Sequence, residues 1–548
     1  MRPAALLLAV LPALGLAQAP TAIRVEGSVS LGPFRSPFSY FGYDEPNFTY
    51  MQYGSKLVGE LARLSEAPVY IRVHHLLCTG DGSAALKWGS TNAYTEDAAG
   101  HPIYDWTIVD RIFDTYVQAG ARPFVEIGFM PEALSTHPLP YTRNWPTPDD
   151  GQGWSYPPKD YARWGDLVRQ WVLHSIQRYG RREVETWYWE VWNEPDISYW
   201  KGTAGEYDRL YDSAAAAVKS VLPAARVGGP ATTGPRNPKA AEFLRQFLEH
   251  CAAHRVPLDF ITFHAKGQPQ MVDNHVRMGL ARELEDVAAG MRLTAGFPAF
   301  ARLPIVLTEA DPEGCAACSA RTSPQNAYRN GALYPAYTAA ALGALLQLAD
   351  RYHANLQGML TWAFEFEHQP YFAGFRTLAT NGIDKPVLNV FRMMGMMAAG
   401  GGDRVRVESA GALPVDAILA NGVRGQPHID ALAVRSAHEI STLVWNYHDD
   451  DAPAPAAAVS LTMAGIPATA RRVLVSHYRI DEEHSNAYTV WQSMGSPQEL
   501  TGSQYARLEA AGQLQLLRSP EWMSARNGTL NVNFALPRPA VSLVRVSW

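Results

Sequence analysis

Between residues 38 and 400 of this 548-residue chain, short apolar runs alternate with longer amphipathic segments. The runs are FSYFGYD (38–44), PVYIRVH (68–74), RPFVEIG (122–128), TWYWEVWN (186–193), ARVGGP (225–230), LDFITFH (258–264), PIVLTE (304–309) and LQGMLTW (356–362). Near-continuous apolarity over so few residues marks strands buried on both faces, as in a parallel sheet covered by helices. The intervening segments carry helical spacing. WTIVDRIFDTYVQAG places Ile108, Ile112, Phe113 and Tyr116 on one face, and YARWGDLVRQWVLHSIQRYG ends at Gly180. Eight such units predict an α/β fold, a (β/α)8 TIM barrel over residues 38–400.

After Gly400 the pattern changes to alternating segments, DRVRVES, IDALAVRS, ISTLVWNYH, RRVLVSHYRI and LNVNFAL. These predict an accessory antiparallel β-sandwich over residues 401–548, and TAIRVEGSV, within residues 20–37, reads as one more strand of it. DDDAPAPAAA (449–458) reads as an exposed loop. The first 19 residues, with Arg2 before an apolar run and small residues at Gly15, Ala17 and Ala19, have the pattern of a secretory signal peptide. The mature chain is therefore expected to be exported, periplasmic or extracellular. The apolar stretch from Tyr334 carries Gln347 and two tyrosines and reads as a core helix rather than a membrane span.

Lys and Arg number 47 against 53 Asp and Glu, a net charge of −6 that directs the chain to neither nucleic acid nor an anionic membrane. A homo-oligomer is compatible with this composition. Of the four cysteines, Cys78, Cys251, Cys315 and Cys318, the last two could bridge or remain thiols, and no second CxxC supplies a zinc site. Sequons stand at Asn47 and Asn527.

Catalytic groups of such a barrel sit where strands end at its C-terminal face. The last polar residues of the runs are His74 and His75, Glu126, Asn193 and Glu194, His264 and Lys266, Glu309, and a group of Trp362, Glu365 and Glu367. Two glutamates on well-separated strands, Glu194 after the fourth and Glu309 after the seventh, suit glycosidic cleavage. One carboxylic acid protonates the leaving oxygen while the other carboxylate attacks or stabilises the anomeric carbon. Alternation along an extended segment would turn Glu190 and Glu194 the same way, into the barrel at different depths. Glu190, the deeper, then needs a buried partner, and Arg72, of inward parity on the second strand, is the candidate. Glu126 suits either a structural or a functional role. A carbohydrate-binding protein without catalysis would not need the two rim glutamates. HExxH spacing and a GxGxxG turn are both lacking, so neither a metal nor a dinucleotide cofactor is expected.

The segments RVHHLL (72–77), VEIGFMPEAL (125–134), WNEP (192–195), VGGPAT (227–232), LTEADP (307–312) and HYRIDEEHSNAYTVWQSMGSPQ (477–498) together resemble glycoside hydrolase family 39, which contains β-xylosidases and α-L-iduronidases. The resemblance spans about residues 35–500. It implies a retaining double displacement with Glu194 as general acid/base and Glu309 as nucleophile. It also implies that Asn193 donates to the sugar 2-hydroxyl, that His74 and His264 line the subsite of the cleaved sugar, and that Trp362 forms its floor. HAKG and WAFEFEHQ depart from the patterns His-x-Tyr and Trp-x-Phe-Ser-Asp of the family's xylosidases. Lys266 and Arg376 resemble instead the iduronidase branch, where a Lys and an Arg hold the uronic carboxylate. The alternative is that these cations pair with Glu313, Glu365 or Glu367. The C-terminal segment 477–498 is closer to the bacterial xylosidases. The expectation is an exo-acting β-xylosidase on oligosaccharides, with an iduronidase-like uronidase as the second reading.

Overall fold

The computed structural model describes residues 19–143, 145 and 152–548. Each of the eight apolar runs contains a strand of one parallel sheet. The strands are Tyr40–Tyr43, Tyr70–Val73, Arg122–Ile127, Tyr188–Val191, Arg226–Thr232, Phe260–Lys266, Pro304–Asp311 and an eighth in two pieces, Asn355–Met359 and Thr361–Trp362. Sequential strands pair in parallel, and the ring closes where Thr361 and Trp362 meet Phe41 and Gly42. Gly42 is required at that seam, because a Cβ there would lie 2.5 Å from the Trp362 ring.

The helix after the second strand, Thr107–Ala119, buries Val109, Ile112, Phe113 and Tyr116. Ile108, expected on that face, is only half-buried: the i, i+3, i+4, i+7 stripe starts one residue later. The helix Tyr161–Tyr179 ends at Gly180 as expected.

Inside the barrel, the N-terminal layer is aromatic. Tyr40 stacks on Tyr70 with centroids 5.2 Å apart, Phe124 on Tyr188 at 4.8 Å, and Phe260 meets Tyr188 edge-on at 5.0 Å. These rings close the bottom of the barrel, with Arg226 over the Tyr188 face and Gln357 donating to the Tyr40 hydroxyl.

Among the described residues, the second sheet has nine strands. The order begins at Gln515–Ser524, passes Arg472–Ile480, Ala540–Ser547, Glu439–Tyr447, His428–Arg435, Asp403–Ser409 and Thr21–Pro33, and ends with Ala457–Ala464 and Thr529–Leu536. Ile23, Val25, Val444, Leu461, Val475 and Val532 share its core. The N-terminal strand joins it as expected, but the sheet is not wholly antiparallel: Thr21–Pro33 runs parallel to Ala457–Ala464, with Ile23 opposite Leu461. A parallel pair needs a long crossover, and the barrel itself lies within this one.

The expected loop 449–458 is part loop only. Asp449 is buried, accepting from the Tyr447 hydroxyl and the Val423 N–H, and Ala457 already begins a strand. Asn47 is also buried, with its side-chain amide bonded to both the N–H and the C=O of Ser90, so that sequon is closed to a transferase in the folded chain. Cys315 and Cys318 are bridged, while Cys78 and Cys251 are buried thiols. The expected signal peptide lies, apart from Ala19, outside the described residues.

The apolar helix expected from Tyr334 spans Leu333–Tyr352 and is buried along most of its length between barrel and sandwich. Gly343 faces Trp445 of the sandwich, where a Cβ would come within 2.7 Å of the indole. Gly343→Val should therefore cost about 1–3 kcal/mol by overpacking, read as a lowered thermal midpoint, whereas Gly425→Ala, in open space, should leave the midpoint unchanged.

Candidate active site

Above the aromatic floor a single cation organises the barrel interior. Arg72, fully buried on the second strand, donates from Nε to Glu190 Oε2 at 2.5 Å and from Nη2 to Asn193 Oδ1 at 2.9 Å. Nη2 also lies 2.9 Å from Glu126 Oε2, and Nη1 is 3.7 Å from Glu309 Oε1. The Arg72–Glu190 pair is the one expected from strand parity. Because the Asn193 oxygen is taken by Arg72, its NH2 is the group left to donate elsewhere.

Glu194 reaches the rim by a route that alternation does not describe. The fourth strand ends at Val191, and Trp192 and Glu194 then take left-handed conformations, with φ of 73° and 44°. Such angles are uncommon outside glycine and persist where surrounding contacts enforce them. Here the Trp192 indole N–H donates to the Tyr199 carbonyl at 3.1 Å, and the Glu194 N–H to the Ala231 carbonyl at 2.8 Å. The turn brings Glu194 against His264, whose Nδ1 is 2.9 Å from Glu194 Oε1 and 3.8 Å from Glu309 Oε1. One oxygen of each glutamate and a ring nitrogen of His264 all fall within 4.8 Å of one another. A donor set of two carboxylates and an imidazole could hold a cation, but Glu309 already has the Lys266 ammonium 2.7 Å from its Oε2.

That ammonium governs Glu309. Burial would raise its pKa, yet Lys266, His264 and Arg72 outweigh burial and hold the carboxyl well below the usual range. Its Oε2 is held by Lys266, while Oε1 faces Arg72, His74 at 3.8 Å and His264. Glu126 has the opposite fate. Burial, reinforced by Glu190, Glu309 and Asp44 against the pull of Arg72, pushes it well above the carboxylate range, and burial keeps His74 neutral. Glu126 Oε2 and His74 Nδ1 lie 2.6 Å apart, a hydrogen bond that needs one proton between them. On its other side, His74 Nε2 faces Asp44, 3.4 Å away.

Trp362 is buried beside the site, with its ring centroid 4.3 Å from that of His74 and the Arg72 guanidinium 5.0 Å over its face. Glu194, Glu309, His74, Asn193, His264, Lys266 and Trp362 thus converge. Two expected site residues do not. Arg376 is fully buried, donating from Nε to the Trp362 carbonyl at 2.9 Å and bonded to the Glu313 carbonyl, with the Glu313 carboxylate 3.0 Å from Nη1. Its guanidinium is paired with Glu313, and its Nη2, 3.5 Å from Asp311, has no hydrogen-bond partner. Glu365 is buried too, accepts from the Gly382 N–H at 2.8 Å, and is raised to about 8 by burial, so it carries a proton at neutral pH and has no approach to the pocket.

Asp44 and Asp311 are site residues that the sequence expectation lacked. Asp44 binds Lys87 at 2.6 Å and faces His74; it is the last residue of the first apolar run, so the strand-end rule applied there returns it. Asp311 accepts from Lys266 Nζ at 2.6 Å and from the Trp362 N–H at 2.9 Å, and lies 3.5 Å from Arg376. It ties together the ends of the sixth, seventh and eighth strands.

Removing a partner from a buried ion cluster costs about 3–5 kcal/mol. Arg72→Met should lose that much stability and also most activity, because Asn193 and Glu309 lose their shared neighbour. Glu190→Gln should lower the thermal midpoint while kcat stays within about tenfold of the parent. A larger loss of kcat in a folded Glu190→Gln protein would move Glu190 into the chemistry.

Residues 60–521 match Glycosyl hydrolases family 39. A β-xylosidase of Geobacillus stearothermophilus is 29% identical over 497 residues, covering 87% of this chain and 86% of that protein. An α-L-iduronidase of Mus musculus is 28% identical over 421 residues, 70% of this chain and 61% of that protein. The structure of a family 39 enzyme from Xanthomonas axonopodis pv. citri superposes with a TM-score of 0.75 at 21% identity, covering 98% of this chain and 99% of that one. With the match extending from the first barrel helix to the last-but-two sandwich strand, this chain belongs to glycosyl hydrolase family 39.

Proposed function

We propose that this glycoside hydrolase is a retaining exo-β-xylosidase that removes terminal β-D-xylosyl units from oligosaccharides. The observation that carries the reading is the approach of Glu194 and Glu309, one carboxylate oxygen of each lying within 4.8 Å of the other. Retaining enzymes place the two groups about 5–5.5 Å apart, and inverting ones leave about 6.5–9.5 Å for a water. Lys266 keeps Glu309 ionised and occupies its Oε2, which leaves Oε1 as the attacking atom. Glu194, beside His264 and partly open to solvent, protonates the departing glycosidic oxygen and later takes the proton of the incoming water. Asn193 donates from its NH2 to the sugar 2-hydroxyl. The small exposure of Glu309, 7% of its side chain, suits a pocket that admits a chain end rather than a cleft.

The xyloside assignment is supported by the sealing of Arg376 and by the occupation of Lys266, which already serves two carboxylates, Glu309 and Asp311. A uronidase needs a cation free for the substrate carboxylate. The second reading rests on the same Lys266, which sits at the pocket with 16% of its side chain exposed and would have to exchange one partner.

Glu309→Ala should abolish turnover of aryl β-D-xyloside and regain activity with azide, giving a xylosyl azide of inverted configuration by NMR; an active mutant without azide would remove Glu309 from the role. In Lys266→Ala, loss of the ammonium raises the Glu309 pKa, so the acid limb of the kcat/KM profile should move to higher pH. The same two proteins compared on aryl β-D-xyloside and aryl α-L-iduronoside decide the substrate: an iduronoside preference that disappears in Lys266→Ala overturns the xyloside reading.

A further inference from the structure

The segment ending in Gln498, the most distinctive motif of the sequence, takes no part in the chemistry above. It belongs to an insertion between the sandwich strands Arg472–Ile480 and Gln515–Ser524 that contains two short helices, Ala487–Ser493 and Gly502–Gly512. The insertion leaves its own sheet and packs on the loop after the eighth barrel strand, where Phe372, Ile383, Ala487, Trp491 and Leu508 form a small separate core. Gln498 then grips the loop by its backbone: the Tyr371 N–H donates to Gln498 Oε1 at 2.8 Å, and Gln498 Nε2 donates to the Tyr371 carbonyl at 3.3 Å. On the other side, Glu367 Oε1 accepts from the Gly54 N–H at 3.0 Å, fixing the loop to the first barrel helix, Gln52–Ala62.

Three pieces of chain so joined border an open groove of about 640 Å³. Tyr53 and Tyr371, both half-buried, contribute aromatic surface, and Gln52, His368, Gln369 and Glu499 surround them with hydrogen-bonding groups. None of the residues lining it is Lys or Arg, and two are glutamates, so a phosphate or a uronate meets no counter-charge there. His368 and Asn381 line it in left-handed conformations, φ 64° and 47°, held by the His368 N–H to Asn381 Oδ1 and the Asn381 amide to the Gln369 carbonyl. Non-glycine residues kept in this region of φ cluster at ligand sites.

We propose that this groove is a second binding site, for a neutral oligosaccharide. Tyrosine faces match the axial C–H surfaces of a pyranose, and amide, imidazole and carboxylate side chains match its hydroxyls. A site mostly formed before the ligand arrives loses little ordering entropy on binding. The choice of a xylo-oligosaccharide as probe rests on the function proposed above; the groove itself does not.

The test uses full-length Glu309→Gln protein, which retains the chain but not turnover, titrated with xylotetraose by calorimetry. Two tetrasaccharides per chain are expected, falling to one in Tyr371→Ala. Because Tyr371 rests on the small core, Gln52→Trp and Glu499→Trp, at exposed positions on opposite walls, fill the groove without touching that core and should do the same. With native Glu309, each of these variants should hydrolyse aryl β-xyloside within about twofold of the parent. An unchanged stoichiometry in Gln52→Trp and Glu499→Trp overturns the proposal, as does binding of glucuronate-bearing xylo-oligosaccharides in preference to neutral ones. If aryl β-xyloside is not turned over while the groove variants still lose one binding event, the substrate assignment fails and the groove stands.

Discussion

The structure depends on one buried guanidinium. Placing Arg72 at the middle of a barrel is costly, and the cost is offset by Glu190 below, Glu126 beside it and Asn193 above, while Nη1, without a hydrogen-bond partner, faces Glu309 at 3.7 Å. Those partners arrive on the third, fourth and seventh strands, so the ionic cluster also records the register of the sheet. Planar, multidentate geometry is what the position requires, and a lysine ammonium could not face these groups from one centre. The Arg72 cluster therefore links the apolar physics of the floor to the chemistry of the rim.

A second electrostatic unit hangs from the first. Asp311 gathers Lys266, the Trp362 N–H and Arg376, and Arg376 in turn meets Glu313, which Arg329 also holds at 2.7 Å. Opposite signs alternate outward from Glu309, and each charge is compensated by its neighbour rather than by water. Burial raises the pKa of Glu309 as it does those of Glu365 and Glu126; the difference lies in the ammonium 2.7 Å away. Buried glutamates of one protein are thus shifted in opposite directions for reasons that are local and identifiable.

Much of this was legible in the sequence. Eight apolar runs gave eight strands because a strand covered on both faces has little freedom to be polar, and inward parity paired Arg72 with Glu190 without a contact map. The strand-end rule found Glu194 and Glu309. Strand alternation did not describe the left-handed turn that delivers Glu194, and the strand-end rule did not place Glu365, whose carboxylate turns to Gly382; Arg376, suggested by the family resemblance, turns to Glu313. In such irregular segments the direction of a side chain is set by partners remote in sequence, which a local pattern does not encode. The one-residue error on the helix Thr107–Ala119 is milder, since Ile108 and Val109 are equally apolar and only packing separates them.

The aromatic floor has a kinetic meaning. Tyr40, Tyr70, Phe124, Tyr188 and Phe260 stopper the barrel at the end opposite the glutamates, so the pocket is a vessel with a single mouth. Under the retaining reading, the aglycone must clear that mouth before water can reach the glycosyl-enzyme, and the released monosaccharide must leave last by the same opening. The covalent intermediate and the mouth together then order the traffic: the aglycone is the first product out, and the free sugar is the species that competes with the next substrate for entry.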